Sequence, residues 1–323
     1  MGREFDLINR FFSRAVPSGY LGGGDDCALM PVRPGKRLAV STDLLVEGRH
    51  FFSGVSPETL GHKALAVNLS DLAAMGAAPL GCVLGLAIPA IDDQWLSGFS
   101  SGFYALADRS GCPLVGGDTT WSGKITLSVT VFGEVDEDRA LRRSAARAGD
   151  DIWLTGTLGA PHVALLFLQN ALPVAVRSQA LCVEPALRQA LELPEPPLQF
   201  GMRLAGLAHA ALDISDGLLQ DLGHILKASS CGAVIHYESL PVHPALSGFP
   251  EPLLPEAVLS GGDVYQLCFT APPESREVIL DQAAACGVDA TRVGYITAQP
   301  GQQDVICENG VIVQTTRQGF QHF

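Results

Sequence analysis

The stretch Lys63-Ala64-Leu65-Ala66-Val67-Asn68-Leu69-Ser70-Asp71-Leu72-Ala73-Ala74-Met75-Gly76 decides the fold. It is built largely from good helix formers and stops at glycine, the residue that most readily closes a helix. Upstream, Ser56-Pro57-Glu58-Thr59 supplies a start, with Ser as N-cap, Pro at the first helical position and Glu in the first turn. A helix ending near Met75 puts Asn68 and Asp71, three residues apart, on one face. Downstream, Leu80–Ile88 is an apolar run of strand length. Residues Leu72 to Ile91 carry no charge and are long enough in total to cross a bilayer. Gly76, Pro79, Gly81, Gly85 and Pro89 interrupt them, however, and a helix end followed by a buried strand explains the same residues. No membrane partner is expected.

Working outward, the same alternation continues in both directions. Phe5, Ile8, Phe11 and Phe12 have helical spacing, and the flexible loop Gly22-Gly23-Gly24 follows. Short β runs are expected at Cys27–Val32 and Leu38–Thr42, then a helix from Asp92 to about Arg109 and strands Cys112–Val115 and Ile125–Phe132. A polar, arginine-bearing connection, Glu134 to Asp150, leads into a second series. Its strands are Asp151–Thr155, Ala233–His236, Tyr265–Thr270 and Thr291–Thr297, and its helices include Pro161–Gln169, Leu218–Ser229 and Glu274–Ala285. Val305–Val313, with Glu308-Asn309-Gly310 at its centre, reads as a hairpin. Two domains are expected, residues 1–138 as an α/β half and 139–323 as an α+β half.

Composition narrows the function. Hydrophobic residues make up 47% and charged residues 17% of the 323, which describes a chain with large buried cores. The net charge of −13 removes the basic footprint that nucleic-acid binding needs. Only four lysines occur (Lys36, Lys63, Lys124, Lys227), and arginine is concentrated at Arg139, Arg142, Arg143 and Arg147. The eight cysteines form no C-x-x-C pair and sit mostly in apolar strings, as small buried hydrophobes do. A reducing, cytoplasmic location fits them.

Five acidic clusters sit among small or apolar residues: Gly24-Asp25-Asp26, Ser41-Thr42-Asp43, Asn68-Leu69-Ser70-Asp71, Gly116-Gly117-Asp118-Thr119-Thr120 and Asp213-Ile214-Ser215-Asp216-Gly217. Each alone also reads as a turn, a helix cap or a surface charge. Together they suit Mg²⁺, which is held by one or two carboxylates plus substrate phosphates. No P-loop, protein-kinase signature or G-x-G-x-x-G after a strand is present, so a nucleotide would have to be held through metal and backbone.

In combination these segments, with Ser260-Gly261-Gly262, resemble the signature of the thiamine-monophosphate kinases, in the same order and over nearly the whole chain. The glycine–aspartate elements are shared with the wider superfamily of aminoimidazole-ribonucleotide synthetase and selenophosphate synthetase. The resemblance implies an ATP- and Mg²⁺-binding N-terminal half whose sheet forms a shared barrel in a homodimer. It implies Mg²⁺ ligands at Asp26, Ser41, Thr42, Asp43, Asp71, Asp118, Asp213 and Asp216. Gly117, Asp118, Arg143 and Ser215 are then expected at ATP, and His50, Asp263, Arg317 and Phe320 at thiamine monophosphate. The expected reaction is transfer of the ATP γ-phosphoryl group to thiamine monophosphate, with no dedicated general base.

Two departures bear on the acceptor. The family's Gly-Gly-Glu-Asp-Tyr-Glu run is here Gly261-Gly262-Asp263-Val264-Tyr265-Gln266, and Arg317 stands where members often have an aromatic residue. An aromatic face holds a cationic thiazolium by cation–π contact and an arginine does not, which leaves Phe320 for that role. Related ATP-dependent reactions on another acceptor, or silent binding of Mg-nucleotide or thiamine phosphate, are the alternatives.

Overall fold

The computed structural model describes residues 6–251, 253–313 and 319. The chain divides into two compact units, the first holding residues up to Leu72 together with Ala77–Asp138. The second holds Arg139 onward with the short segment Ala73–Gly76.

The first unit runs β1 (Lys36–Val46), α1 (Pro57–Met75), β2 (Ala78–Ile88), α2 (Asp93–Ser110), β3 (Leu114–Trp121) and β4 (Thr126–Asp136). Its four strands lie in the order β1-β4-β2-β3, antiparallel except for the β2–β3 pair. Burial alternates with period two: Leu127, Val129 and Val131 of β4 are buried while Ser128 and Thr130 are not. On β1 the outward set is Leu38, Val40, Thr42 and Leu44, and its three aliphatic members are at least 50% exposed. α1 is buried on nearly every side and so has almost no amphipathic stripe. It crosses α2 at backbone contact, because a Cβ on Gly102 would lie 1.9 Å from the Glu58 carbonyl oxygen.

Local chemistry sets the element ends. Asp92 caps α2 by accepting from the amides of Gln94 and Trp95, and Gly111 closes it in the left-handed conformation. The expected strand Cys27–Val32 makes only an isolated bridge, Leu21 to Leu29. Pro31 in that segment, and Pro34 just beyond it, cannot donate to a ladder. The expected strand Cys112–Val115 instead continues through Gly116, Gly117 and Asp118 to Trp121. Gly117 sits so close to β2 that a Cβ there would lie 2.0 Å from the Leu84 carbonyl oxygen. The opening helix is short, with a π-helical turn at Ile8–Phe12; Leu7 is buried, and Phe5 lies outside the described residues.

The second unit contains β5 (Asp151–Thr155), α3 (Ala160–Leu168), α4 (Val174–Cys182), α5 (Glu184–Glu192), α6 (Leu198–Leu204) and β6 (Ala210–Asp213). Then follow α7 (Leu218–Ser229), β7 (Gly232–His236), α8 (Leu253–Ser260), β8 (Leu267–Ala271), α9 (Arg276–Ala285), β9 (Ala290–Thr297) and β10 (Gln303–Ile306). Its six-stranded sheet has the order β10-β7-β9-β5-β8-β6 and is antiparallel but for β10–β7. One core cluster joins the sheet to Leu218, Leu222 and Ile225 of α7, and a second joins α3, α4, α5 and α8 around Leu187, Leu246 and Ala257. The alanine-rich strand β6 has no strand signal of its own; pairing of Ala210–Asp213 with Leu267–Thr270 imposes it. The expected terminal hairpin is a short strand, β10, and one bridge, Ile306 to Ile312.

Candidate active site

In the first unit, β1 is an edge strand, so alternate amides face away from β4 and need another partner. The N–H of Asp43 finds one in Asn68 of α1, whose Oδ1 accepts it at 3.0 Å. Asn68 is 1% exposed, and its Nδ2 donates back to the Ala64 carbonyl at 3.1 Å, which fixes its amide orientation. One turn further along α1, Asp71 Oδ2 accepts from the Ser41 hydroxyl. The face that carries Asn68 and Asp71 therefore lies against Ser41 and Asp43, as their spacing predicts. Burial, and then the neighbouring Asp71 charge, push the Asp43 carboxyl up to about 6.

Other expected residues of this unit lie elsewhere. The register Asp43–Val129–Leu84–Gly117 runs across the whole sheet, so Asp118 is on the far edge strand, about 14 Å from Asp43 by strand spacing. Asp118 and Thr42 belong to the opposite face, and Thr42 Oγ1 donates to the Val129 carbonyl and accepts from Thr130. Asp26 is exposed in the glycine loop. His50 sits in the turn after β1, where its Nδ1 accepts the Val46 amide at 3.1 Å. In the neutral imidazole the proton is then on Nε2.

In the second unit two loops extend the β6–β8 pairing beyond the strands. Ile214 donates to the Gln266 carbonyl, Tyr265 to that of Ile214 and Asp263 to that of Ser215, all at 2.8 Å. These bonds lay the backbone of residues 214–215 alongside that of residues 263–266. The approach excludes side chains: a Cβ on Gly262 would lie 2.4 Å from the Ser215 carbonyl oxygen, and one on Gly217 2.7 Å from that of Ser260. Asp263 and Tyr265 both adopt left-handed φ, at +60° and +53°, and the Tyr265 hydroxyl donates to Asp263 Oδ1 at 3.2 Å. Such conformations in non-glycine residues cost on the order of 1 kcal/mol each and gather at functional loops. Gln220 Nε2 donates to Asp216 Oδ2 at 3.0 Å.

Asp221 was not singled out from sequence, and Tyr265 and Gln266 figured there only as members of the altered 261–266 run. Asp221 is buried beneath the 213–217 loop and accepts its amides; burial raises its pKa to about 6 against the lowering effect of the Asp216, Gly217 and Ser215 N–H groups. An acid in the first turn of a helix that follows such a loop is the signal that would have found it. Gln266 accepts from Thr155 Oγ1 at 2.8 Å and donates to the Glu195 carbonyl at 2.9 Å. Arg143 is exposed, and its carbonyl accepts from Ser229 at the C-terminal end of α7, a helix length of about 16 Å from the loop at the other end. Arg317 and Phe320 lie outside the described residues. Gly319, between them, packs so closely on the loop that a Cβ would lie 2.4 Å from the Asp216 carbonyl oxygen.

The donors are all hard oxygens. Among the described residues no three Asp, Glu, His or Cys side chains converge on one point, so carboxylates act at most in pairs, as Asp43 and Asp71 do. That set fits Mg²⁺, which takes one or two carboxylates and completes its shell with water and phosphate oxygens.

Fold and loops define the class. Residues 24–135 match the AIR synthase related protein N-terminal domain and residues 147–306 its C-terminal domain, and the chain belongs to that family. Within it, the similarity is to thiamine-monophosphate kinases. The Escherichia coli K12 enzyme is 43% identical over 99% of this chain and 98% of its own length, and the Bacillus subtilis enzyme 32% identical over 99% of each. The crystal structure of thiamine-monophosphate kinase from Stenotrophomonas maltophilia matches with a TM-score of 0.82 at 40% identity, over 95% of both chains. The structure of AaThiL complexed with AMPPCP and TMP matches with a TM-score of 0.76 at 27% identity, over 99% of this chain and 96% of that one.

Proposed function

We propose that this chain transfers the γ-phosphoryl group of ATP to thiamine monophosphate, giving thiamine diphosphate and ADP. The full-length 43% identity to an enzyme of that name supports the reading most strongly. The acceptor is a phosphate monoester whose second proton leaves near pH 6, so it is already a nucleophilic anion at neutrality. Its oxygen forms the new bond to the γ-phosphorus as the bond to the ADP oxygen breaks, and no proton has to be removed. What the protein must supply is alignment of two mutually repelling anions.

Asp26, Ser41, Thr42, Asp43, Asp71, Asp118, Asp213 and Asp216 would hold Mg²⁺. Bound there, such ions would supply the positive charge that screens the donor and acceptor phosphates. Gly117, Asp118, Ser215 and Arg143 serve the nucleotide, Arg143 through a two-pronged guanidinium contact. His50 would donate to the acceptor phosphate and Asp263 would face the cationic ring; Phe320 and Arg317, which lie outside the described residues, are assigned to the same substrate. The protein works as a homodimer in the cytoplasm. The exposed aliphatic row Leu38, Val40 and Leu44 supports dimerisation, being the face a second sheet would cover. No helix among the described residues is long and apolar enough to cross a membrane.

The test is ADP release and thiamine diphosphate formation from ATP and thiamine monophosphate, with and without Mg²⁺. Mg²⁺-dependent formation of both products is expected. ADP release without thiamine diphosphate would point to another acceptor, and nucleotide binding without turnover to a silent binder.

A further inference from the structure

The turn between β6 and α7 has the backbone form of an anion cradle, and the chain's own carboxylate fills it. The N–H groups of Ser215, Asp216 and Gly217 all point to Asp221 Oδ2, each at 3.0 Å. Three successive amides at the start of a helix are the arrangement that elsewhere receives a phosphate. Here Asp221, the fourth residue of α7 and 5% exposed, takes that place from beneath. Its own amide bonds the Gly217 carbonyl at 2.9 Å, so the acid is fixed within the first helical turn. The positive end of α7 is thereby neutralised from inside the protein.

This arrangement changes what the outside of the turn attracts. With the amides committed inward, the side chains carried by the turn are Ser215 and Asp216, both half-exposed, and Asp213, buried at the end of β6, and Gln220 Nε2 already donates to Asp216 Oδ2. A phosphate approaching alone meets acids and finds the three backbone amides of Ser215, Asp216 and Gly217 already taken. A divalent cation meets oxygen ligands on a backbone that cannot rotate without breaking three hydrogen bonds to a buried charge.

We infer that Asp221 is a positioning residue that converts a potential phosphate cradle into a cation-binding turn, so that nucleotide phosphate is received there only together with a divalent cation. The inference rests on the reading of Asp213 and Asp216 as cation ligands. It assigns Asp221 no contact with substrate or metal.

The experiment compares full-length wild type with Asp221→Asn, which keeps the shape and one accepting oxygen but loses the charge, and with Asp221→Ala, which empties the cradle. Calorimetric titration with ADP is run in Mg²⁺ and in EDTA, amide hydrogen exchange is followed over residues 214–218, and the Mg²⁺ half-saturation is measured separately from kcat. Asp221→Asn is expected to speed exchange at the three amides and weaken Mg-dependent ADP binding by about 10–100-fold, the usual cost of losing a group that orients metal ligands. The activity loss should fall mainly on Mg²⁺ half-saturation, not on kcat. Asp221→Ala should in addition gain ADP binding in EDTA, as freed amides accept phosphate directly. Wild-type Mg²⁺ half-saturation in both variants, or failure of both to fold, overturns the inference, the latter by making Asp221 a purely structural anchor. If wild type itself binds ADP equally well in EDTA, the cation-ligand reading of the turn fails instead.

Discussion

Asn68 on a helix holds Asp43 on a strand: its Oδ1 accepts the Asp43 amide proton at 3.0 Å. One buried carboxamide thus satisfies an edge-strand donor and sets the height at which the Asp43 carboxylate faces Asp71. Asn68→Ala leaves that amide orphaned, and the expected loss of stability is about 1–3 kcal/mol. Urea unfolding measures it, and turnover should fall as well because β1 is no longer pinned to α1. A stable variant with full activity would show that the contact positions nothing.

Asp43→Asn and Asp71→Asn should each lower turnover by about a hundredfold or more, since each removes an anionic ligand where transition-state charge is screened. Both variants should remain folded. Asp43 lies half-buried beside Asp71, and deleting one of two like charges relieves repulsion in the metal-free protein. Thermal unfolding in EDTA should therefore give a Tm no lower than wild type. The added stabilisation by Mg²⁺ and ADP should be lost. Unchanged turnover in both variants would remove these residues from the mechanism.

The residues differ in how far sequence could place them. Asn68 and Asp71 were legible because helical periodicity is a property of the local chain. The Asp213–Gly217 loop was legible as the entry to helix Leu218–Ser229 for the same reason, but not as the end of a strand. Asp118 was not legible as a mid-strand residue: Gly116 and Gly117 signal a turn locally, and only the close approach of β2 explains glycine within a strand. Nor could spacing reveal that Asp118 and Asp43 occupy opposite edges of one sheet, because strand order is set by long-range pairing. Asp221 escaped notice, and Gln266 was read only as part of an altered run, because their meaning lies in partners, three amides for one and the Glu195 carbonyl for the other. Strand β6 owes its existence to β8 in the same way.

Gln266→Glu tests one departure from the family pattern. In this chain the Gln266 amide nitrogen donates to the Glu195 carbonyl while its oxygen accepts from Thr155. A carboxylate can keep the second bond but would set an oxygen against an oxygen at the first. The expected cost is about 1–3 kcal/mol, read as a lower urea midpoint at pH 7. The penalty should shrink at low pH, where a protonated carboxyl can again donate. A variant as stable as wild type at neutral pH would mean that the loop carrying Glu195 adapts freely.

Asp151 supplies a pH dependence with a definite sign. The carboxylate is 3% exposed at the start of β5 and receives Arg276 Nε at 2.6 Å, Arg276 Nη2 at 2.8 Å and Arg292 Nη1 at 3.4 Å. Burial alone would raise its pKa, but the hydrogen bonds and charges of the two arginines together outweigh burial and hold it below the ordinary carboxyl value. The folded protein therefore binds this proton less readily than the unfolded chain, whose carboxyl titrates at about 3.9. Between the two values the unfolded state carries more protons, so stability rises with pH in that window. The contribution is complete above about pH 4 to 5 and is lost as pH falls through the folded value. Asp151→Asn should be less stable than wild type at pH 7, because two arginines lose their ionic partner, and should show a shallower decline of stability below about pH 4. The adjacent Asp150, bonded to His209 at 2.9 Å, is common to both proteins and cancels in the comparison. Parallel urea titrations from neutral to acid pH measure both slopes, and coincident curves would show that the arginine pair contributes nothing to the acid limb.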